Sequence, residues 1–331
     1  MWQIDNKTPF AVDSTWIRDA DGAEVWIVAL KATYELLQNH TTRIAAQQVP
    51  VNSGLILHED GKSPLFETDM GPAKNATDIW LVGHAHSQNG QAITKMRAGF
   101  AIGSVTRQIV VMGDRDGSKF FAKPQPFLQM PLTWARAYGG AGPDCRSGNP
   151  VGCGIVAQAD GNRPLPNLLC PGSARTAQGV GPIPRHWPQR SQYAGTYDAA
   201  WQRERAPLQA ADLDPSHWQV AMPEQQVKGR LKGGERFALQ GVTPAGFAPD
   251  GIYSSVLPKL TLGFKTSFYD GHSESSRSVI HSVIFLPDGV DGSGPLVSVV
   301  HHMALPCHAR VNQLARTVIT EKNRPLDKES T

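Results

Sequence analysis

The chain of 331 residues carries 32 Lys or Arg against 29 Asp or Glu, a net charge of +3. That balance is too mild for a nucleic-acid partner, which needs Lys and Arg clustered on one face; the nearest basic run, Gln202-Arg203-Glu204-Arg205, is interrupted by an acid. Its 32 Gly and 25 Pro stand well above the ordinary ~12%, which excludes a plain helical bundle and favours many turns between short strands.

In chain order, the first strong run is Glu24 to Leu36, rich in β-branched and aromatic residues and preceded by the Asp21-Gly22 turn signal, as in a hairpin. Asp78 to His86 is a second strand-like run, Ile93 to Ile102 a third and Val105 to Asp114 a fourth. The third and fourth are joined by Gly103-Ser104, a two-residue hairpin turn. From about Gly139 to Gln192 the chain reads as ordered, irregular loop: glycine and proline interrupt it throughout, and aromatics and arginines sit between the breaks. A short helix is expected over Tyr197 to Arg205, capped by Thr196 and ended by Pro207, and a second near Asp214-Pro215 through Trp218. Strand character returns at Arg236 to Leu239, Ser278 to Pro287 and Pro295 to Met303, the last two forming a hairpin around the turn at 288–294.

The expectation is a mostly β fold: antiparallel sheets, sandwich-like or as two linked sheets, with a long Gly/Pro-rich loop region and a few short helices. The divisions expected are an amino-terminal β part (1–135), a loop-rich middle (136–230), a carboxyl-terminal β part (231–320) and a frayed polar tail (321–331). These parts are short enough to pack as one compact unit. All eight tryptophans fall at or before Trp218, which suggests an aromatic surface on the first and middle parts. The amino terminus does not read as a signal peptide, and no run of about 18 apolar residues is present. A cytoplasmic protein is therefore expected, with no membrane contact and with Cys145, Cys153, Cys170 and Cys307 as free thiols.

Candidate chemistry is sparse. His84 and His86 alternate on one strand and so share a face, the arrangement of some Zn²⁺ pairs, with His301, His302 or Asp78 as further ligands. The plainer reading is two strand-end histidines facing solvent. Adjacent His301 and His302 point to opposite faces of a strand. Cys153 sits between glycines as a candidate nucleophile without a fixed base. Asp198 reads either as a catalytic acid or as a group that satisfies the first turn of a helix. No Gly-x-Ser-x-Gly elbow and no Gly-x-x-x-x-Gly-Lys-Ser/Thr loop occurs. Arg136 ahead of Tyr138-Gly139-Gly140, and Arg190 after Trp187, have the composition of a protein-contact hot spot and equally of a buried ion pair under a loop.

One ordered set of short motifs carries a resemblance. Asn6-Lys7-Thr8-Pro9-Phe10, Asp78 to Gly83, Gly113-Asp114-Arg115, Pro126-Phe127 with Met130-Pro131-Leu132, Arg136-Ala137-Tyr138-Gly139-Gly140, Asn149-Pro150-Val151-Gly152, Leu165-Pro166-Asn167 and Gly195-Thr196-Tyr197-Asp198 with Trp201 follow one another. Together they resemble a bacterial family, formerly of unknown function, encoded beside type VI secretion genes. The resemblance spans roughly residues 1 to 310 and departs most after residue 231. It implies a cytoplasmic adaptor or chaperone, not an enzyme, with no cofactor. Such an adaptor holds a type VI effector and helps load it onto the secretion spike, with the spike or spike-tip protein as a possible second partner. The family's recurrent Arg-aromatic-Gly-Gly element corresponds to Arg136, Tyr138, Gly139 and Gly140, with Tyr138 where Phe is common. Partner contacts are expected at Arg136, Tyr138, Trp187, Arg190, Tyr197 and Trp201, where the loops would cover an apolar or strand-edge segment. The alternatives are a metal-dependent hydrolase using His84 and His86, and a carbohydrate-binding β module using Trp187 or Trp201.

Overall fold

The computed structural model describes residues 2–119, 122–140, 148–155, 161, 163–173, 176–248 and 250–322. Its largest sheet runs in the order Gln226–Lys228, Ala76–Leu81, Val279–Leu286, Leu296–Pro306, Glu24–Leu36, Ala11–Arg18, with Thr42–Ile44 also paired to Glu24–Leu36. A five-stranded sheet has the order Leu168–Leu169, Val105–Met112, Lys95–Ile102, Arg236–Gln240, Ile252–Val256, and a four-stranded one the order Gln3–Asn6, Leu314–Glu321, Leu262–Phe268, Ser273–Ser276. The fold is mostly β, and antiparallel pairing dominates. Among the described residues three strand pairs are parallel: Ala76–Leu81 with Val279–Leu286, Gln3–Asn6 with Leu314–Glu321, and the short Tyr138–Gly139 with Cys153–Gly154. The first two join the first third of the chain to the last.

The hairpins expected at Asp21-Gly22, Gly103-Ser104 and 288–294 all form, each by antiparallel pairing of the flanking strands. The run from Asp78 to His86 is divided instead into Ala76–Leu81 and His84–His86. Gly83 lies between them at φ +158°, and a Cβ there would meet Asp288 Oδ2 at 2.7 Å. Only glycine fits that approach.

Residues 27–34 of the Glu24–Leu36 strand are buried without interruption, because both faces of its sheet are covered. Partners directly opposite in a sheet share a face. Ala32, Val299, Val283 and Ile79 therefore make one apolar row, with Tyr34, Val297, Phe285 and Leu81 beside it. This face packs on the five-stranded sheet through Phe285, whose ring lies 5.6 Å from Phe100 and 5.2 Å from Phe237. It reaches the four-stranded sheet where Trp26 Nε1 donates to Thr317 Oγ1 at 3.1 Å. Fully burying a side chain of Phe or Leu size contributes roughly 1.5–3 kcal/mol, and this face holds much of the main core. The opposite face carries the row Lys31, Val300, Ser282, Asp78. It is buried and mixed: beside the apolar cluster of Trp80, Ile284, Leu286, Leu296 and Val300, its charges are paired, with Lys31 Nζ 2.6 Å from Asp69 and Lys74 Nζ 2.8 Å from Asp78 and 3.0 Å from Ser282 Oγ.

The middle of the chain closes over these sheets as irregular, well-anchored backbone. Trp134 and Trp187 meet edge-to-face at 5.5 Å, both nearly inaccessible. Trp134 Nε1 donates to the Pro182 carbonyl at 2.9 Å, and Gly179 lies so close to the Trp134 ring that a Cβ would sit 2.6 Å from it. Trp26, Trp80, Trp134 and Trp187 are core residues that anchor the fold from within, while Trp2 is exposed and Trp16, Trp201 and Trp218 are half-buried. The two expected helices form in shortened versions, Ala199–Glu204 and the 3₁₀ turn Pro215–Trp218. The cap of the first is Asp198, whose carboxylate accepts from Trp201 N at 2.9 Å, while Thr196 bonds Asp212 instead. Within the expected loop and tail, residues 141–147, 156–160 and 323–331 lie outside the described residues, and Cys145 with them.

Candidate functional site

Several of the short motifs converge on one open basin of about 1040 Å³. The Val105–Met112 strand runs out into Gly113, whose Cα faces the Gln125 carbonyl so closely that a Cβ would overlap it. The chain then presents Asp114 and Arg115 to the basin. Asp114 Oδ1 accepts from Arg136 Nη1 at 3.0 Å and from Asn167 Nδ2 at 2.9 Å. Arg136 Nη1 also donates to Asn167 Oδ1 at 2.9 Å, and Asn167 N donates to the Arg136 carbonyl at 2.8 Å. Three motifs distant in sequence are thus joined by one network of charge-assisted hydrogen bonds. Arg115 Nη2 adds a bond to the Pro166 carbonyl at 2.5 Å.

Two further motifs build the wall. Buried Asn149 donates through Nδ2 to the Trp134 carbonyl at 2.8 Å and the Tyr138 carbonyl at 3.2 Å, and Gly140 N donates to the Asn149 carbonyl at 3.0 Å. Gly139 lies at φ +158°, with the Asn149 carbonyl 2.2 Å from where a Cβ would stand. The Arg136-to-Gly140 element needs its glycine for this contact. Around the basin, Lys62, Arg115, Lys119, Lys123 and Arg136 outnumber Asp114 and Asp116, so its lining is polar and cationic.

The structure separates the six residues singled out from sequence. Arg136 lines the basin, half-exposed; Tyr138 is half-buried and pairs with Cys153 behind it, outside the lining residues. Trp187 and Arg190 face inward: each is only 1–3% exposed. Arg190 Nη1 lies 2.6 Å from Glu67 and donates to the Ile183 carbonyl, while its Nε donates to the His217 carbonyl. Of the two readings that its composition allowed, the buried ion pair is the one seen. Tyr197 and Trp201 pack edge-to-face at 4.8 Å away from the basin, with Tyr197 51% exposed. Their segment is tied to the Ala11–Arg18 strand's end, where Arg205 donates to the Ala20 carbonyl and Gln209 to the Arg18 carbonyl. Asp114, Arg115 and Asn167 were visible only as parts of motifs; the spatial meeting that makes them a site has no sequence signature.

The other candidates are occupied by structural roles. His84 and His86 do share a face, but both turn toward one carboxylate: His84 Nδ1 lies 2.9 Å from Asp288 Oδ2 and His86 Nε2 2.5 Å from Asp288 Oδ1. His86 is buried, so the expectation of two solvent-facing histidines is corrected. Burial raises the Asp288 pKa, but the hydrogen bonds from the two imidazoles outweigh it and bring the carboxyl down to about 2. No group of three or more His, Cys, Asp or Glu suited to a metal ion occurs among the described residues. His301 and His302 lie on opposite faces and are both buried; His302 bonds the Gly71 carbonyl and stacks on His281 at 3.7 Å. Burial pushes the Cys153 thiol up to about 11, where it stays protonated at neutral pH and is a poor nucleophile. Cys153, Cys170 and Cys307 are free thiols.

No helix among the described residues is long and apolar enough to cross a membrane. No curated protein and no solved structure matches the chain. A family described as "Uncharacterized protein conserved in bacteria (DUF2169)" matches residues 21–292. That span includes the basin, the Arg136-to-Gly140 element and most of both larger sheets, and the chain belongs to this uncharacterised bacterial family.

Proposed function

We propose that the chain is a non-enzymatic cytoplasmic adaptor that holds a type VI secretion effector for loading onto the secretion spike. The observation that carries this reading is the convergence of separate motifs on the cationic basin around Asp114, Arg136 and Asn167. Their polar groups are spent on shaping a surface: Asp114 and Asn167 orient Arg136, and Asn149 fixes the backbone behind it. Such a constellation positions loops for recognition. The lining favours an acidic segment of the effector over an apolar one, because Lys and Arg exceed Asp and Glu around it. Binding energy concentrated in a few such groups is consistent with release at the spike.

The test is co-expression with the effector encoded beside the gene, followed by affinity capture. The effector is expected to co-purify with the wild-type protein. An Arg136→Glu, Lys123→Glu variant with unchanged circular dichroism is expected to recover it at least about tenfold less well, as for the loss of a charge-paired contact worth more than 1.4 kcal/mol. Equal recovery by the variant, or equal effector secretion without this protein, would overturn the proposal.

A further inference from the structure

A second cavity lies at the seam between the seven-stranded and four-stranded sheets. It measures about 460 Å³ and is bounded by the turn after Gln226–Lys228, the start of Val279–Leu286, the start of Leu262–Phe268 and Lys322 after Leu314–Glu321. Its floor is aliphatic, with Leu231, Leu260, Leu262, Val279 and Ile280. Its remaining charged lining is Arg230, Lys232, Arg277 and Lys322, with no Asp or Glu among the lining residues. None of these four cations makes an ion pair among the described residues. Lys31 and Lys74, buried on the far face of the same sheet, each have a carboxylate partner; of the four cavity cations, only Arg230 is half-buried.

Arg230 is the most constrained of the four. It follows Gly229 in a left-handed turn, with φ +80° at Gly229 and +64° at Arg230, a region that strains a non-glycine residue. The turn is pinned by Leu231 N donating to Thr77 Oγ1 at 3.1 Å and Arg230 N to the Val227 carbonyl at 3.3 Å. The guanidinium spends Nη2 on the Lys74 carbonyl, while Nη1 is buried and has no acceptor among the described residues. A buried donor left unpaired is costly, and an oxyanion at this position would satisfy it. The Asp78 carboxylate acts on Arg230, but Lys232, Arg277 and Lys322 have no such partner among the described residues, and like charges gathered this way favour an anion from solution.

We propose that this cavity binds a small amphiphilic anion: a carboxylate or phosphate head held by Arg230, Arg277, Lys232 and Lys322, with an aliphatic body of several carbons on the leucine floor. The head accounts for the unpaired cations, and the body for the apolar floor. The volume is that of an ordinary small-ligand site. This site is separate from the basin of Arg136 and does not depend on the adaptor reading.

The experiment is isothermal titration of the full chain with four probes: decanoate, decyl phosphate, inorganic phosphate and decanol. Decanoate or decyl phosphate is expected to bind at one site at least about tenfold more tightly than either half-molecule probe, a difference of about 1.4 kcal/mol. Which of the two binds better identifies the head group. An Arg277→Glu, Lys322→Glu variant, altered only at exposed positions, is expected to weaken that binding at least about tenfold, with decanol binding unchanged. Val279→Asn, a neutral change at an exposed strand end, should weaken the amphiphiles and leave inorganic phosphate unaffected. Absence of amphiphile binding at millimolar concentration, or equal affinity in the charge-reversed variant, would overturn the proposal.

Discussion

Arg190 shows how much one residue's setting decides. Its side chain and that of Glu67 are each 3% exposed, with Nη1 2.6 Å from Oε2. Burial lowers the Arg190 pKa, and the Glu67 carboxylate opposes that shift. A pair like this adds little over an apolar pair of the same shape, but removing one partner strands a buried charge. Arg190→Met is therefore expected to lower unfolding free energy by about 3–5 kcal/mol, and Arg190→Met with Glu67→Leu to recover most of that loss. Urea denaturation of both variants checks this; a single variant within about 1 kcal/mol of wild type would contradict it. The residue types around Trp187 and Arg190 fitted an ion pair and a contact surface equally, because Glu67 lies 123 positions away and no local pattern points to it. His84 and His86 are a parallel case. Their shared face follows from spacing two apart, but Asp288, which holds them, lies more than 200 positions on.

At the scale of elements, the long β-branched runs were legible because both faces of their sheets are buried: Glu24–Leu36 ends where its composition ends. Short edge strands such as Gln3–Asn6 are polar and half-exposed, and their pairing comes from neighbours far along the chain. The strand Lys95–Ile102 carries a glycine that composition alone treats as a weakness. It is central, paired on both sides, with Gly99 opposite Gln108 and Gln240. At φ +155°, Gly99 lets the Arg107 carbonyl come within 2.0 Å of where a Cβ would be. Gly99→Ala must displace the Val105–Met112 strand, which feeds Asp114 and Arg115 into the basin. The expected cost is about 1–3 kcal/mol of stability. Thermal unfolding measures it; an unchanged melting temperature would mean that the strand pair relaxes freely around a methyl group.

Across the whole molecule, the two thirds rich in strands interleave, so one sheet couples residues from both ends of the chain. Three histidines are buried on or beside that sheet: His281, His301 and His302. Burial brings His301 and His302 down to about 4; for His302, the Gly71 carbonyl opposes this while the charges of Lys74 and Arg230 add to it. His281 is held well below its ordinary value by burial, then by His302, Lys74 and Arg230. In the unfolded chain each titrates near 6.5, as a roughly unperturbed imidazole does. Above that pH neither state binds the proton, and the three make no pH-dependent contribution. Between about 6.5 and 4 the unfolded chain takes up protons that the folded chain refuses, so stability falls with falling pH by up to about 1.4 kcal/mol per unit for each histidine. Asp288, held at about 2, stays ionised in the folded protein across this window, so its own loss comes only in stronger acid. Urea denaturation from pH 8 to pH 4.5 should show a plateau above about 7 and a steep decline below it. His302→Gln should remove about 1.4 kcal/mol per pH unit from that slope while leaving the plateau flat. A variant whose slope matches wild type would mean that His302 titrates normally in the folded protein and that its burial against His281 and Gly71 does not hold it neutral.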